Sequence, residues 1–198
     1  MHRIGDQITI NIGEYYASRE PVVIKTILGS CVGACLYDPV KRVGGMNHIL
    51  LPGKADLAHF DAQSRYAVNA MELLINEILK KGGLRSNLVA KVFGGGSVIP
   101  AIKNEFFVGT KNIEFVKKFL KTENIKIVSH DLGGNHTRVV LFNTSTGEAF
   151  VKRSKTQLMD QVVSKEKQRA KRIIEEIKET GPIELFLNRV PTDDEKDA

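Results

Sequence analysis

The chain has 198 residues, 42% hydrophobic and 26% charged, with a formal net charge of +6. That length suits one well-cored domain with an appendage better than two full domains. No apolar run approaches the ~20 residues of a membrane helix. Residues 1–7 lack the apolar stretch of a secretory signal, so a soluble, cytoplasmic protein without membrane insertion is expected.

Residues 8–12 alternate apolar and polar side chains and predict a strand. The β-branched run 22–28 predicts another, broken by Gly29-Ser30. A third apolar run covers 31–37, and a fourth covers 45–51, ended by Pro52-Gly53. Helical spacing of Ala67, Ala70, Met71, Leu74, Ile75 and Ile78 predicts a helix over 62–81, capped by Asp61. A strand at 88–93 runs into Gly94-Gly95-Gly96, and a second helix lies at 111–121 with Ile113, Val116, Phe119 and Leu120 inward. Strands at 125–131 and 137–143 flank Gly133-Gly134 as an expected hairpin.

Residues 1–150 therefore read as one mixed domain, and residues 151–198 as an extension. Leu158, Met159, Val162, Val163, Ile173, Ile174 and Ile177 mark an amphipathic helix over 156–179. Its middle, 165–172, carries five basic residues and the lone acid Glu166; an apolar patch at 183–187 and an acidic tail follow. The helix reads as one packing on its own domain, with a docking arm as the other reading. No aromatic platform accompanies the basic charge, so a solvated face is expected rather than nucleic-acid binding.

The chemistry centres on Cys31. The two cysteines, Cys31 and Cys35, fit neither a zinc pair nor a disulfide framework. On one strand they would lie roughly 13 Å apart, too far for a disulfide. A hairpin of runs 31–37 and 42–48, closed by residues 38–41, pairs residues whose numbers sum to 79. That register sets Cys31 opposite His48, with Cβ atoms ~5 Å apart. An imidazole there can take the thiol proton, and the thiolate can attack an amide or ester carbonyl. Small backbone at Gly29-Ser30 leaves N–H groups free to face a developing oxyanion. Read alone, Cys31 is more readily a small buried hydrophobe, and the hairpin geometry brings the two readings level. The glycine run 94–96 lacks the phosphate-loop pattern and reads as a close backbone approach beside the site. His59, His130 and His136 have no standard metal spacing, and no metal is expected.

The runs Thr26-Ile27-Leu28-Gly29-Ser30-Cys31-Val32, Cys35-Leu36-Tyr37-Asp38-Pro39 and Gly44-Gly45-Met46-Asn47-His48-Ile49-Leu50-Leu51-Pro52 resemble the CheD family of chemoreceptor glutamine deamidases. So do Lys91-Val92-Phe93-Gly94-Gly95-Gly96 and Asp131-Leu132-Gly133-Gly134, in order across about residues 8–150. The resemblance implies an α/β sandwich of mixed, largely antiparallel sheet packed with helices, here with a C-terminal helical extension. It implies a catalytic set of Cys31, His48 and Thr26, with Ser30 as a further substrate-binding candidate, and no cofactor. The implied reaction is hydrolysis of receptor glutamine side chains to glutamate through a thioester, extending to glutamyl methyl esters. Implied partners are the cytoplasmic helices of chemoreceptors and a CheC-type phosphatase. The alternative function is a docking module for that phosphatase with little catalysis; a third reading passes the acyl group to an amine.

Overall fold

The computed structural model describes residues 2–4, 6–51, 62–97, 103–154 and 159–179. His59, Asp61, the apolar patch at 183–187 and the acidic tail lie outside the described residues. Among the described residues, ten strands and three α-helices follow in chain order: β1 His2–Ile4, β2 Gln7–Thr9, β3 Tyr15–Ser18, β4 Val23–Leu28, β5 Val32–Asp38 and β6 Val43–Ile49, then α1 Ala62–Lys80. Next come β7 Val89–Gly94, α2 Lys103–Thr122, β8 Lys126–Leu132, β9 Thr137–Asn143, β10 Ala149–Ser154 and α3 Met159–Glu179.

The strands form two five-stranded sheets, ordered β1-β2-β4-β9-β10 and β3-β6-β5-β7-β8. Pairing is antiparallel except for β2 with β4 and β7 with β8. The architecture is thus the expected mixed, largely antiparallel α/β sandwich with a C-terminal helix.

The centre of the second sheet is buried on both faces, which is why β6 shows no polar alternation and every residue in it is buried, whereas the edge strand β8 is largely exposed. On β5, Val32, Ala34 and Leu36 point one way, into a core completed by α1 and α2. Cys35 and, just before the strand, Cys31 point the other way, between the sheets, with Met46, Ile24, Val140 and Phe142. The period of two along a strand makes this division. Ala67, Met71, Leu74, Ile75 and Ile78 of α1 are fully buried, as their spacing predicts.

Several local expectations need correction. The β5–β6 hairpin pairs Gly33 with His48 and Asp38 with Val43, so paired numbers sum to 81 rather than 79. Asp38 stays in the strand because its carboxylate accepts from the loop N–H groups of Val40 and Lys41, each at 2.9 Å. Arg42 then closes the loop in the left-handed region, at φ 54°. Strands β8 and β9 are no hairpin. They lie in different sheets, and the chain at Gly133-Gly134 crosses between them.

Helix α2 begins at Lys103, well before the expected 111. Gly109 sits inside the helix where a Cβ would meet the Gly95 carbonyl oxygen at 2.6 Å. The glycine serves close packing there instead of ending the helix. Short strands β1, β3 and β10 gave no clear pattern in the sequence.

Candidate active site

Thr26 occupies an inward position of β4, whose burial alternates strictly along its length. A hydroxyl placed among apolar side chains needs partners. It donates to the Ile10 carbonyl at 2.9 Å and lies 2.8 Å from His48 Nδ1. One hydroxyl proton cannot serve both acceptors, so Nδ1 carries the hydrogen and donates to Thr26 Oγ1. The remaining ring nitrogen, Nε2, is then the unprotonated one, and it is buried with no hydrogen-bond partner among the described residues.

His48 comes from the second sheet and Thr26 from the first, so this bond ties the two layers together. The backbone of His48 is held in turn by Gly13 N–H on its carbonyl, at 2.8 Å, and by its own N–H on Glu14, at 3.0 Å. Burial pushes the imidazole pKa down to about 3, partly offset by the charge of Glu14. The ring is therefore neutral, which a base must be before it takes a proton.

Cys31 sits in the bend between β4 and β5 and is fully buried. Its sulfur, a ring nitrogen of His48 and a carboxylate oxygen of Glu166 lie within 4.8 Å of one another. The two-residue register difference left this pair on one face, because a shift of two preserves the side and a shift of one reverses it. Cys31 and His48 meet diagonally instead of directly across. Cys35, two strand repeats on, is buried and free, its pKa raised by burial despite Lys91 nearby.

The bend itself is clamped from behind. Gly95 N–H donates to the Cys31 carbonyl and Gly96 N–H to the Gly29 carbonyl, each at 2.7 Å. Gly94, at φ 108°, passes so close that a Cβ would fall 2.2 Å from the Cys31 oxygen. Asn112 of α2 is fully buried; it donates to the Ser30 carbonyl at 2.9 Å and accepts from Leu51 N–H at 2.7 Å. The glycine run is thus a backbone tether for the Cys31 bend.

With its carbonyls turned back, the bend turns its N–H groups outward, and all of them find Glu166 of α3. Gly29 N–H and Cys31 N–H reach Oε1 at 3.1 and 3.4 Å. Ser30 reaches Oε2 through its N–H at 3.2 Å and its hydroxyl at 2.6 Å. Successive N–H groups converging on one point form an anion nest. Glu166 escaped the sequence reading. The available signal was its position on the stripe Val162, Glu166, Ala170, Ile173, Ile177, one acid on the buried face of a basic helix.

Cys31, His48 and Glu166 are the one close group of three or more His, Cys, Asp or Glu side chains among the described residues, and neither His130 nor His136 belongs to it. Both carboxylate oxygens already face N–H and O–H donors, whose positive ends disfavour a cation there. A pocket of about 320 Å³ opens beside the group, with Asn11, Thr26 and His48 on one side and Lys165, Glu166 and Arg169 of α3 on the other.

Residues 50–153 match the family profile described as CheD chemotactic sensory transduction. A Burkholderia mallei protein named "Probable chemoreceptor glutamine deamidase CheD" is 41% identical over 197 residues, covering 96% of this chain and 82% of its own length. One of the same name from Methylobacillus flagellatus is 44% identical over 177 residues, 88% of this chain and 86% of its own. The chain belongs to the CheD family. Among solved structures, the Bacillus licheniformis hypothetical protein YfiH overlaps 59% of this CheD chain and 49% of its own, at 14% identity and a TM-score of 0.39. No helix of this CheD protein, among the described residues, is long and apolar enough to cross a membrane.

Proposed function

We propose that this protein is an amidohydrolase of the cytoplasm that converts glutamine side chains of chemoreceptors to glutamate, with Cys31 as nucleophile, His48 as base and Thr26 as the group that orients it. The observation that carries the reading is the Thr26–His48 hydrogen bond, which leaves Nε2 unprotonated on a ring that has a nitrogen within 4.8 Å of the Cys31 sulfur. The family membership supports the substrate, since the relatives are named "Probable chemoreceptor glutamine deamidase CheD".

His48 Nε2 takes the Cys31 proton. The thiolate adds to the glutamine amide carbon, and the oxygen becomes an oxyanion held by the N–H groups of Gly29, Ser30 and Cys31 and the Ser30 hydroxyl. The imidazolium returns its proton to the nitrogen, the C–N bond breaks and ammonia leaves. Water, deprotonated by His48, then splits the thioester into glutamate and the free thiol. Glutamyl methyl esters enter the same path with methanol as leaving group. A CheC-type phosphatase fits this scheme as a regulator that covers the substrate surface.

The test is intact-mass analysis of a receptor cytoplasmic fragment after incubation with the protein. Each converted glutamine adds about one mass unit, the amide-to-acid difference of acyl transfer to water. Cys31→Ala abolishes the gain. A receptor fragment left unchanged by the intact protein overturns the reading, and activity persisting in Cys31→Ala removes Cys31 from it.

A further inference from the structure

We infer that the surface beneath α3 is the docking surface for the substrate helix, and that α3 fills it as an internal product mimic, with Glu166 standing where a newly made receptor glutamate would lie. The inference rests on the deamidase reading and extends it to how the substrate is held and what competes with it.

A glutamate side chain is the product of glutamine deamidation, and Glu166 presents one from a helix. It is 6% exposed, although its neighbours Lys165 and Lys167 face solvent. Its oxygens take the N–H groups of Gly29, Ser30 and Cys31 and the Ser30 hydroxyl. Those same donors are the ones an amide oxygen needs while the thiol attacks its carbon. A substrate amide and the Glu166 carboxylate cannot both occupy them.

The fit includes the helix as well as the side chain. Gly29 is the point of closest approach: a Cβ there would meet Glu166 Oε1 at 2.9 Å and Val162 Cγ1 at 3.1 Å. Glycine thus lets a helix lie against the bend. Besides Glu166, Val162 and Ile173 of α3 are buried, Ala170 and Ile177 pack half-buried on the inter-sheet core and Arg169 bonds Tyr66, while Gln168, Lys171 and Arg172 are exposed. A receptor helix that offers a glutamine to the same donors competes with α3 for them, so the two are alternative occupants of one surface. The seated carboxylate also opposes ionisation of Cys31, whose pKa burial already raises, so the closed arrangement keeps the nucleophile as a thiol.

Two full-length variants test this. Glu166→Ala removes the competitor and raises kcat/KM on a receptor fragment about tenfold, chiefly through KM, if the open form is about a tenth of the wild-type population. Glu166→Gln seats an amide where the carboxylate lay. The thiolate attacks that amide carbon, the C–N bond breaks, ammonia leaves with a proton from His48, and water regenerates the thiol and a glutamate. The purified variant therefore gains about one mass unit at position 166, the signature of acyl transfer to water. The gain proceeds at a rate independent of protein concentration and is absent from the Glu166→Gln, Cys31→Ala double variant. Being isosteric, Glu166→Gln keeps the fold.

Wild-type protein that deamidates the receptor while Glu166→Ala loses activity and Glu166→Gln gains no mass overturns the inference and leaves the deamidase reading standing. Absence of receptor deamidation by wild type and both variants, with no self-conversion, overturns the two together.

Discussion

The Thr26 hydroxyl owns one proton and touches two groups that would each accept it, the Ile10 carbonyl and His48 Nδ1. The carbonyl has no proton to give, so the imidazole must give its own, and the tautomer follows. Thr26→Val keeps the β-branched shape and deletes this acceptor. The Nδ1 hydrogen is then unpaired in an apolar interior and the ring free to reorient. We expect kcat on a receptor fragment to fall about 10²-fold, in the range of acid–base contributions, with Thr26→Ser restoring most of it. Equal loss in both variants would point to packing and not to the hydroxyl.

Among elements, the Cys31 bend is shaped less by its own sequence than by what presses on it. The 94–96 loop takes two of its carbonyls and Asn112 takes the third. Gly94→Ala puts a methyl group into the Cys31 carbonyl and strains a φ of 108°. A loss of more than about 3 kcal/mol in urea unfolding is expected, as for backbone overpacking at a strained position. Asn112→Ala leaves the buried Leu51 N–H and Ser30 carbonyl without this partner, at about 2 kcal/mol or more, and lowers kcat as the bend loosens. An unchanged urea midpoint for Asn112→Ala would show the bend held without it.

Across the whole molecule, the neutral buried imidazole makes stability depend on pH. The His48 pKa is about 3 in the fold and ~6.5 in the unfolded chain. Below ~6.5 the unfolded chain takes up a proton that the folded protein refuses. Stability from this group is complete above ~6.5 and is lost as pH falls through the window down to about 3. The slope approaches about 1.4 kcal/mol per pH unit. Asp131 adds a second, more acidic window. Burial opposes its ionisation, but hydrogen bonds from Arg138 and Arg153 outweigh that and hold it below the usual carboxylate range. Its contribution is present above ~3.9 and lost below. Urea unfolding of wild type between pH 7 and 4 is expected to steepen with acidity, and His48→Gln to flatten that dependence. Parallel curves would mean that His48 is not buried neutral.

The elements whose pattern repeats within one turn or one strand were legible in the sequence: the period of α1, the β-branched run of β4, and the apolar runs that become β5, β6 and β7. The same local logic put Cys31 and His48 on one face, since parity survives a register error of two. The register itself turned on Asp38 capping its own loop and on a left-handed Arg42, which no periodicity announces. The split of β8 and β9 between sheets was invisible because a glycine pair serves a hairpin and a crossover alike. Glu166 is the clearest case. By itself the sequence determined a thiol and an imidazole able to cooperate, because those follow from residue type and short spacing, while the Thr26 hydroxyl entered only with the family resemblance. Only the tertiary structure decided that an acid 135 residues further on fills the donors beside them, because that contact depends on where a distant helix comes to rest.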